Sequence, residues 1–135
     1  MKILYLYHDY GGRRKAYGVE LERLGHEVRY FRVANKNKPT GFSVATVKKY
    51  KPDVVFLLSP AYLRRAVPAA VVDYLKQQKI LLTTYSTFDT AVPWTEMLDI
   101  WQTFDVMLMQ HPEFVDRLRD QKQHTHYPPL GFDPD

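Results

Sequence analysis

Four short apolar runs limit what this chain can fold into: KILYLY (Lys2 to Tyr7), DVVFLL (Asp53 to Leu58), KILLTTY (Lys79 to Tyr85) and DVMLM (Asp105 to Met109). Each is strand-length, and its apolar residues run together instead of alternating with polar ones. That pattern belongs to strands covered on both faces, as in a parallel sheet. The intervening segments change period. Tyr17, Leu21 and Leu24 recur at helical spacing, with Gly25 placed for a left-handed cap. Val44, Val47 and Lys48 suggest a short helix ending before Pro52, and Pro68 opens one with a stripe of Val71, Val72 and Leu75. Trp94, Met97, Leu98 and Trp101 follow the i, i+3, i+4, i+7 pattern behind Pro93, and Phe114, Val115 and Leu118 mark a helix over Pro112 to Arg119.

Two further strands complete the series. His26 to Val33 (HEVRYFRV) alternates, a polar loop spans Asn35 to Gly41, and Thr125 to Tyr127 forms a short sixth strand. Strands alternating with helices predict a single α/β domain, a Rossmann-like doubly wound and mainly parallel sheet of about six strands with helices on both faces. The expected domain covers residues 1–128. The closing HYPPLGFDPD, two prolines and then a glycine after a strand, predicts a strand leaving the sheet into a linker over 129–135.

At 135 residues and 45% hydrophobic, the chain can bury a core of one domain's size. It has no cysteine, which excludes disulfides and thiolate metal sites, and MKILYLYHDY turns polar too soon for a secretory leader. A cytoplasmic location is expected. No apolar run reaches the roughly 20 residues that span a bilayer, so membrane contact would be peripheral. The net charge of +4 favours anionic partners, but the basic residues are scattered and the aromatics read as core. A nucleic-acid role is therefore not expected.

In a doubly wound sheet, ligands bind beyond the carboxyl ends of the strands. Here that places His8 to Gly12, Ser59 to Tyr62, Tyr85 to Asp89 and Gln110-His111 in the candidate site. Gly11 and Gly12 would let backbone approach a phosphate, yet GGRRKAYG lacks the G-x-G-x-x-G spacing, Arg32 stands where an NAD ribose needs an acid, and no Gly-Lys-Ser/Thr forms a P-loop. Arg13, Arg14 and Lys15 lie near a helix start, where the macrodipole disfavours cations; a bound anion or simple solvation would each account for them. A receiver domain is excluded because the third strand ends at Ser59 where a phosphoacceptor Asp is required. His124 and His126 have no accompanying carboxylate cluster and read as a surface pair, whereas His8 and His111 follow strand ends. The hydroxyl-rich TTYSTFDTAVPW around Asp89 suits a polyol, since each sugar hydroxyl both donates and accepts; a capping role for Asp89 or Thr90 is the alternative.

Taken in order, MKILYLYHDYGG, LERLGHEVRYF, KYKPDVVFLLSPAYL, TTYSTFDTAVPWTEM, FDVMLMQHPEFVDRL and HYPPLGFDPD resemble the N-terminal half of a GT-B glycosyltransferase, in particular the CgeB-like branch near glycosyltransferase family four. The resemblance implies an acceptor-side domain that faces a donor-side domain holding the nucleotide-sugar, with the final phrase at the interdomain exit and the C-terminal domain absent. It implies that Gly11-Gly12 approach the donor phosphate, and that Ser59, Tyr62, Ser86, Asp89, Gln110 and His111 line the acceptor side. Where many relatives carry His-Asp after the fourth strand, this chain has Tyr85-Ser86, and a frequent Ser-Glu after the fifth is His111-Pro112.

The resulting expectation is sugar transfer from a nucleotide-sugar to an unidentified acceptor, with no cofactor, no obligatory metal and no catalysis by this domain alone. The substrate-binding set is His8, Asp9, Gly11, Gly12, Arg13, Ser59, Tyr62, Ser86, Asp89 and His111. A non-catalytic nucleotide or anion module, or one subunit of a split transferase, is the alternative.

Overall fold

The computed structural model describes residues 1–7, 16–32, 42–57, 67–86, 100, 102–109 and 124–126. In chain order these form β1 (Lys2–Tyr7), α1 (Ala16–Arg23), β2 (Glu27–Arg32), α2 (Val44–Tyr50), β3 (Val54–Leu57), α3 (Ala69–Gln77), β4 (Leu81–Ser86), β5 (Val106–Met109) and β6 (His124–His126). Ile100, Gln102 and Thr103 are helical and precede β5. The strands make one six-stranded sheet in the order β2-β1-β3-β4-β5-β6, and every neighbouring pair is parallel. The expected α/β, Rossmann-like architecture is therefore present. The helical patterns around Trp94 and Phe114, and the tail from Tyr127, lie outside the described residues.

Strand alternation divides the core into two layers. On one face, Leu4, Leu6, Val55, Leu57, Leu82 and Met107 pack with Val47 and Tyr50 of α2, Val71 and Leu75 of α3, and Phe42, Val67 and Phe104. On the other, Ile3, Tyr5, Val54 and Phe56 pack with Leu21 of α1 and with Val28, Tyr30 and Leu108. Helices thus cover both faces. No described helix is long and apolar enough to cross a membrane.

Several element boundaries differ from the sequence reading, each for a local reason. Strand β4 begins at Leu81 because Lys79 is left-handed (φ 55°) and closes α3: Lys79 N–H donates to the Lys76 carbonyl at 3.2 Å and Ile80 N–H to that of Leu75 at 2.9 Å. This is the Schellman pairing. The same pair of bonds ends α1, where Gly25 (φ 91°) donates to Glu22 and His26 to Leu21. At α2 the left-handed residue is Lys51 (φ 56°), which donates to Val47 at 2.8 Å. Pro52 follows it and has no N–H, so the second bond cannot form. Leu24, expected on the apolar stripe of α1, falls past Arg23 in the turn and is 74% exposed. In α2 the buried partner of Val47 is Tyr50, while Lys48 is exposed.

Asp53 and Asp105 stand just before their strands and not within them, and each holds the start of a neighbouring strand in the same way. Asp53 N–H donates to the Lys2 carbonyl while its carboxylate accepts from Lys2 N–H, both at 2.8 Å. Asp105 repeats both bonds with Leu82 at 2.8 Å, and its second oxygen meets Lys76 Nζ at 2.7 Å. A carboxylate that accepts a backbone N–H here satisfies a group the ladder leaves open.

Candidate functional site

The parallel register aligns the carboxyl ends of the strands. Leu6 of β1 is level with Leu57 of β3, Leu57 with Thr84 of β4, and Ser86 with Met109 of β5. Four chain segments therefore leave the sheet along one edge, after Tyr7, Leu57, Ser86 and Met109. Strand order reverses between β1 and β3: β2 follows β1 in sequence but lies on its outer side. Such a switch point opens a crevice between the two departing chains, one bound for each side of the sheet.

Of the ten expected site residues, Ser86 is the one within the described set, as the final residue of β4 at this edge. His8, Asp9, Gly11, Gly12, Arg13, Ser59, Tyr62, Asp89 and His111 lie outside the described residues, as does Gln110. In sequence His8 directly follows the end of β1, and Ser59 comes two residues after the end of β3. Arg32, considered above for a nucleotide ribose, ends β2 level with Tyr7.

At this edge the structure corrects one reading: Thr84, counted in the hydroxyl-rich stretch TTYSTFDTAVPW suited to a polyol, turns its hydroxyl inward. Thr84 is fully buried, and its hydroxyl donates to the Leu57 carbonyl at 2.7 Å. It secures the last residue of β3 from the adjacent strand. The signal was the polar pair Thr83-Thr84 inside an otherwise apolar strand. It reads equally as a half-exposed strand end, and only the pairing of Thr84 with Leu57 separates the two.

Among the described residues, no group of three His, Asp or Glu side chains is placed to hold a metal ion. No protein-family model matches the chain, and no curated protein matches it.

Proposed function

We propose that this chain is the acceptor-side domain of a GT-B glycosyltransferase, working with a donor-side domain to move a sugar from a nucleotide-sugar to an acceptor. The observation that carries the reading is the alignment of the carboxyl ends of β1, β3, β4 and β5 on one edge beside a topological switch point. The motif order that resembles this family puts its hydroxyl, carboxylate and imidazole residues on the segments leaving that edge.

In this reading Ser59, Tyr62, Ser86, Asp89 and His111 hydrogen-bond acceptor hydroxyls. Backbone N–H groups of Gly11 and Gly12, together with Arg13, face the donor diphosphate, whose negative charge grows as the glycosidic bond breaks. His8 and Asp9, which follow β1 directly in sequence, complete the substrate-binding set. Positive groups and backbone donors stabilise the leaving diphosphate, without an obligatory metal.

The test compares the 135-residue chain with the complete product of its gene, each incubated with a panel of nucleotide-sugars and hydroxyl-bearing acceptors that can take the sugar. Release of nucleoside diphosphate by the complete product only, abolished by Asp89→Asn and His111→Ala, is expected. Robust turnover by the 135-residue chain refutes the half-enzyme reading, and inactivity of both proteins across the panel removes the transferase reading.

A further inference from the structure

Away from the carboxyl edge, a cleft of about 320 Å³ opens between the edge strand β2 and helix α2. Leu4, Phe31 and Tyr50 give it an apolar floor, and Arg29, Thr46 and Lys49 give it polar walls. Its volume lies at the small end of the range for ligand sites, roughly 300–1,000 Å³. Arg29 and Lys49 bring two positive charges to this one cleft, and neither forms an ion pair among the described residues. Glu27, two positions earlier on the same face of β2, pairs with neither.

The Arg29 guanidinium stands over the Tyr50 ring, its Cζ 5.5 Å from the centroid, and Lys2 Nζ lies 5.4 Å from the same centroid. Tyr50 is itself fixed, 9% exposed, with its hydroxyl donating to the Glu27 carbonyl at 3.4 Å. A guanidinium presents paired N–H groups to a two-point acceptor. The Thr46 hydroxyl, 3.4 Å from Ser43 Oγ with either oxygen able to donate, adds a neutral hydrogen-bonding group on the same wall.

From this arrangement we infer that the β2–α2 cleft binds the phosphate group of a small phosphate ester. Two cations in one cleft match a dianion better than a monoanion. A phosphomonoester carries about two charges above its second pKa of about 6, where a carboxylate carries one. The inference stands independently of the glycosyl-transfer reading, which uses the carboxyl edge of the sheet.

Amide chemical shifts of the full chain, titrated with inorganic phosphate, ribose 5-phosphate and acetate at millimolar concentrations, provide the test. Saturable shifts at Arg29, Thr46 and Lys49 are expected with both phosphates, and weaker binding with acetate. Tighter binding of ribose 5-phosphate than of inorganic phosphate identifies an ester as the ligand; equal binding assigns the site to free phosphate and overturns the ester. Arg29→Gln and Lys49→Gln should each weaken binding about tenfold or more, the usual effect of removing a charged hydrogen-bond partner. Lys79→Gln, beyond the end of α3, should leave it unchanged. Lowering the pH from 7.5 to 5.5 should weaken phosphate binding as the dianion takes up a proton. Lys49 is exposed on α2, so Lys49→Gln tests the site even if Arg29→Gln fails to fold. Absence of saturable shifts, acetate binding as tight as phosphate, or unchanged affinity in Lys49→Gln overturns the assignment.

Discussion

The two faces of the sheet are built from different chemistry. Toward α2 and α3 the strands present Leu4, Leu6, Val55, Leu57, Leu82 and Met107, all essentially inaccessible to water, with Thr84 as the buried polar residue. Toward α1 they present a row of rings. Tyr5 of β1 lies level with Tyr30 of β2 on one side and Phe56 of β3 on the other, stacked on Phe56 at 5.3 Å and edge-on to Tyr30 at 5.6 Å. Tyr7 joins Tyr30 edge-on at 6.2 Å. The aliphatic layer gains stability by excluding water from area, which is non-directional. The ring layer adds preferred geometry and phenol groups that require polar partners.

That requirement shapes α1. Tyr30 donates its hydroxyl to Glu22, which lies one turn after Gly18 on the same helix face. The ring passes so close to Gly18 that a Cβ there would sit 2.5 Å from Tyr30 Cε1. A glycine in mid-helix costs about 1 kcal/mol relative to alanine, and here it allows the helix to close over the ring. The lesson is that an aliphatic layer tolerates the helix it is given, whereas a tyrosine layer sets the residue the helix must carry.

The contrast can be broken most forcefully on the aliphatic side. Leu82→Ala, at a fully buried site, should cost about 2–5 kcal/mol in chemical denaturation, while Leu24→Ala in the exposed turn should stay within about 0.5 kcal/mol. Next comes Thr84→Val, which keeps the shape and removes the donor to Leu57. A loss of about 1–3 kcal/mol is expected, together with amide shift changes at the end of β3.

On the ring side, Gly18→Ala should destabilise by about 1–3 kcal/mol through overpacking, less the helix-propensity gain of about 1 kcal/mol. The same substitution in a Tyr30→Ala background should cost nothing, a coupling read from a double-mutant cycle. Tyr30 also predicts a pH effect on this face, beside that of Tyr50 on the other, whose pKa burial likewise raises. Burial, and then the hydrogen bond and charge of Glu22, raise the Tyr30 pKa well above a phenol's usual value of 10.0. The unfolded chain therefore ionises this phenol first, so its contribution to stability is level below about pH 10 and falls as pH rises beyond it. Denaturation midpoints from pH 8 to 11 should decline less steeply for Tyr30→Phe. The smallest effects concern caps that serve both faces. Lys51→Gly and Lys79→Gly relieve left-handed strain and should raise stability by up to about 1 kcal/mol, measurable as a higher denaturation midpoint.

The caps show what could and could not be read locally. Gly25 announces a left-handed residue because glycine pays no Cβ penalty there, but nothing in Lys51 or Lys79 does so. Their conformation is imposed by where the next strand must begin. Asp53 and Asp105 read as strand residues because they adjoin Val-rich runs, and their role in holding Lys2 and Leu82 depends on residues 51 and 23 positions away in sequence. The candidate site divides similarly. That the strands end along one edge was legible from periodicity; Ser86, read as following a strand that ends at Tyr85, is instead the last residue of β4. The support that Thr84 gives to β3, and the cleft that Arg29 and Lys49 both line, were not. Each joins residues from elements that only the sheet order and helix packing bring together.

The sequence by itself determined the alternation of strands and helices, the parallel sheet and the edge along which its strands end, because hydrophobic period and run length are properties of neighbouring residues. Tertiary structure alone decided which rings share a row, which helix gives up a side chain to cover them, and which lysines take a left-handed conformation. Those outcomes follow from contacts between distant segments in a close-packed interior, and no local window of sequence contains both partners.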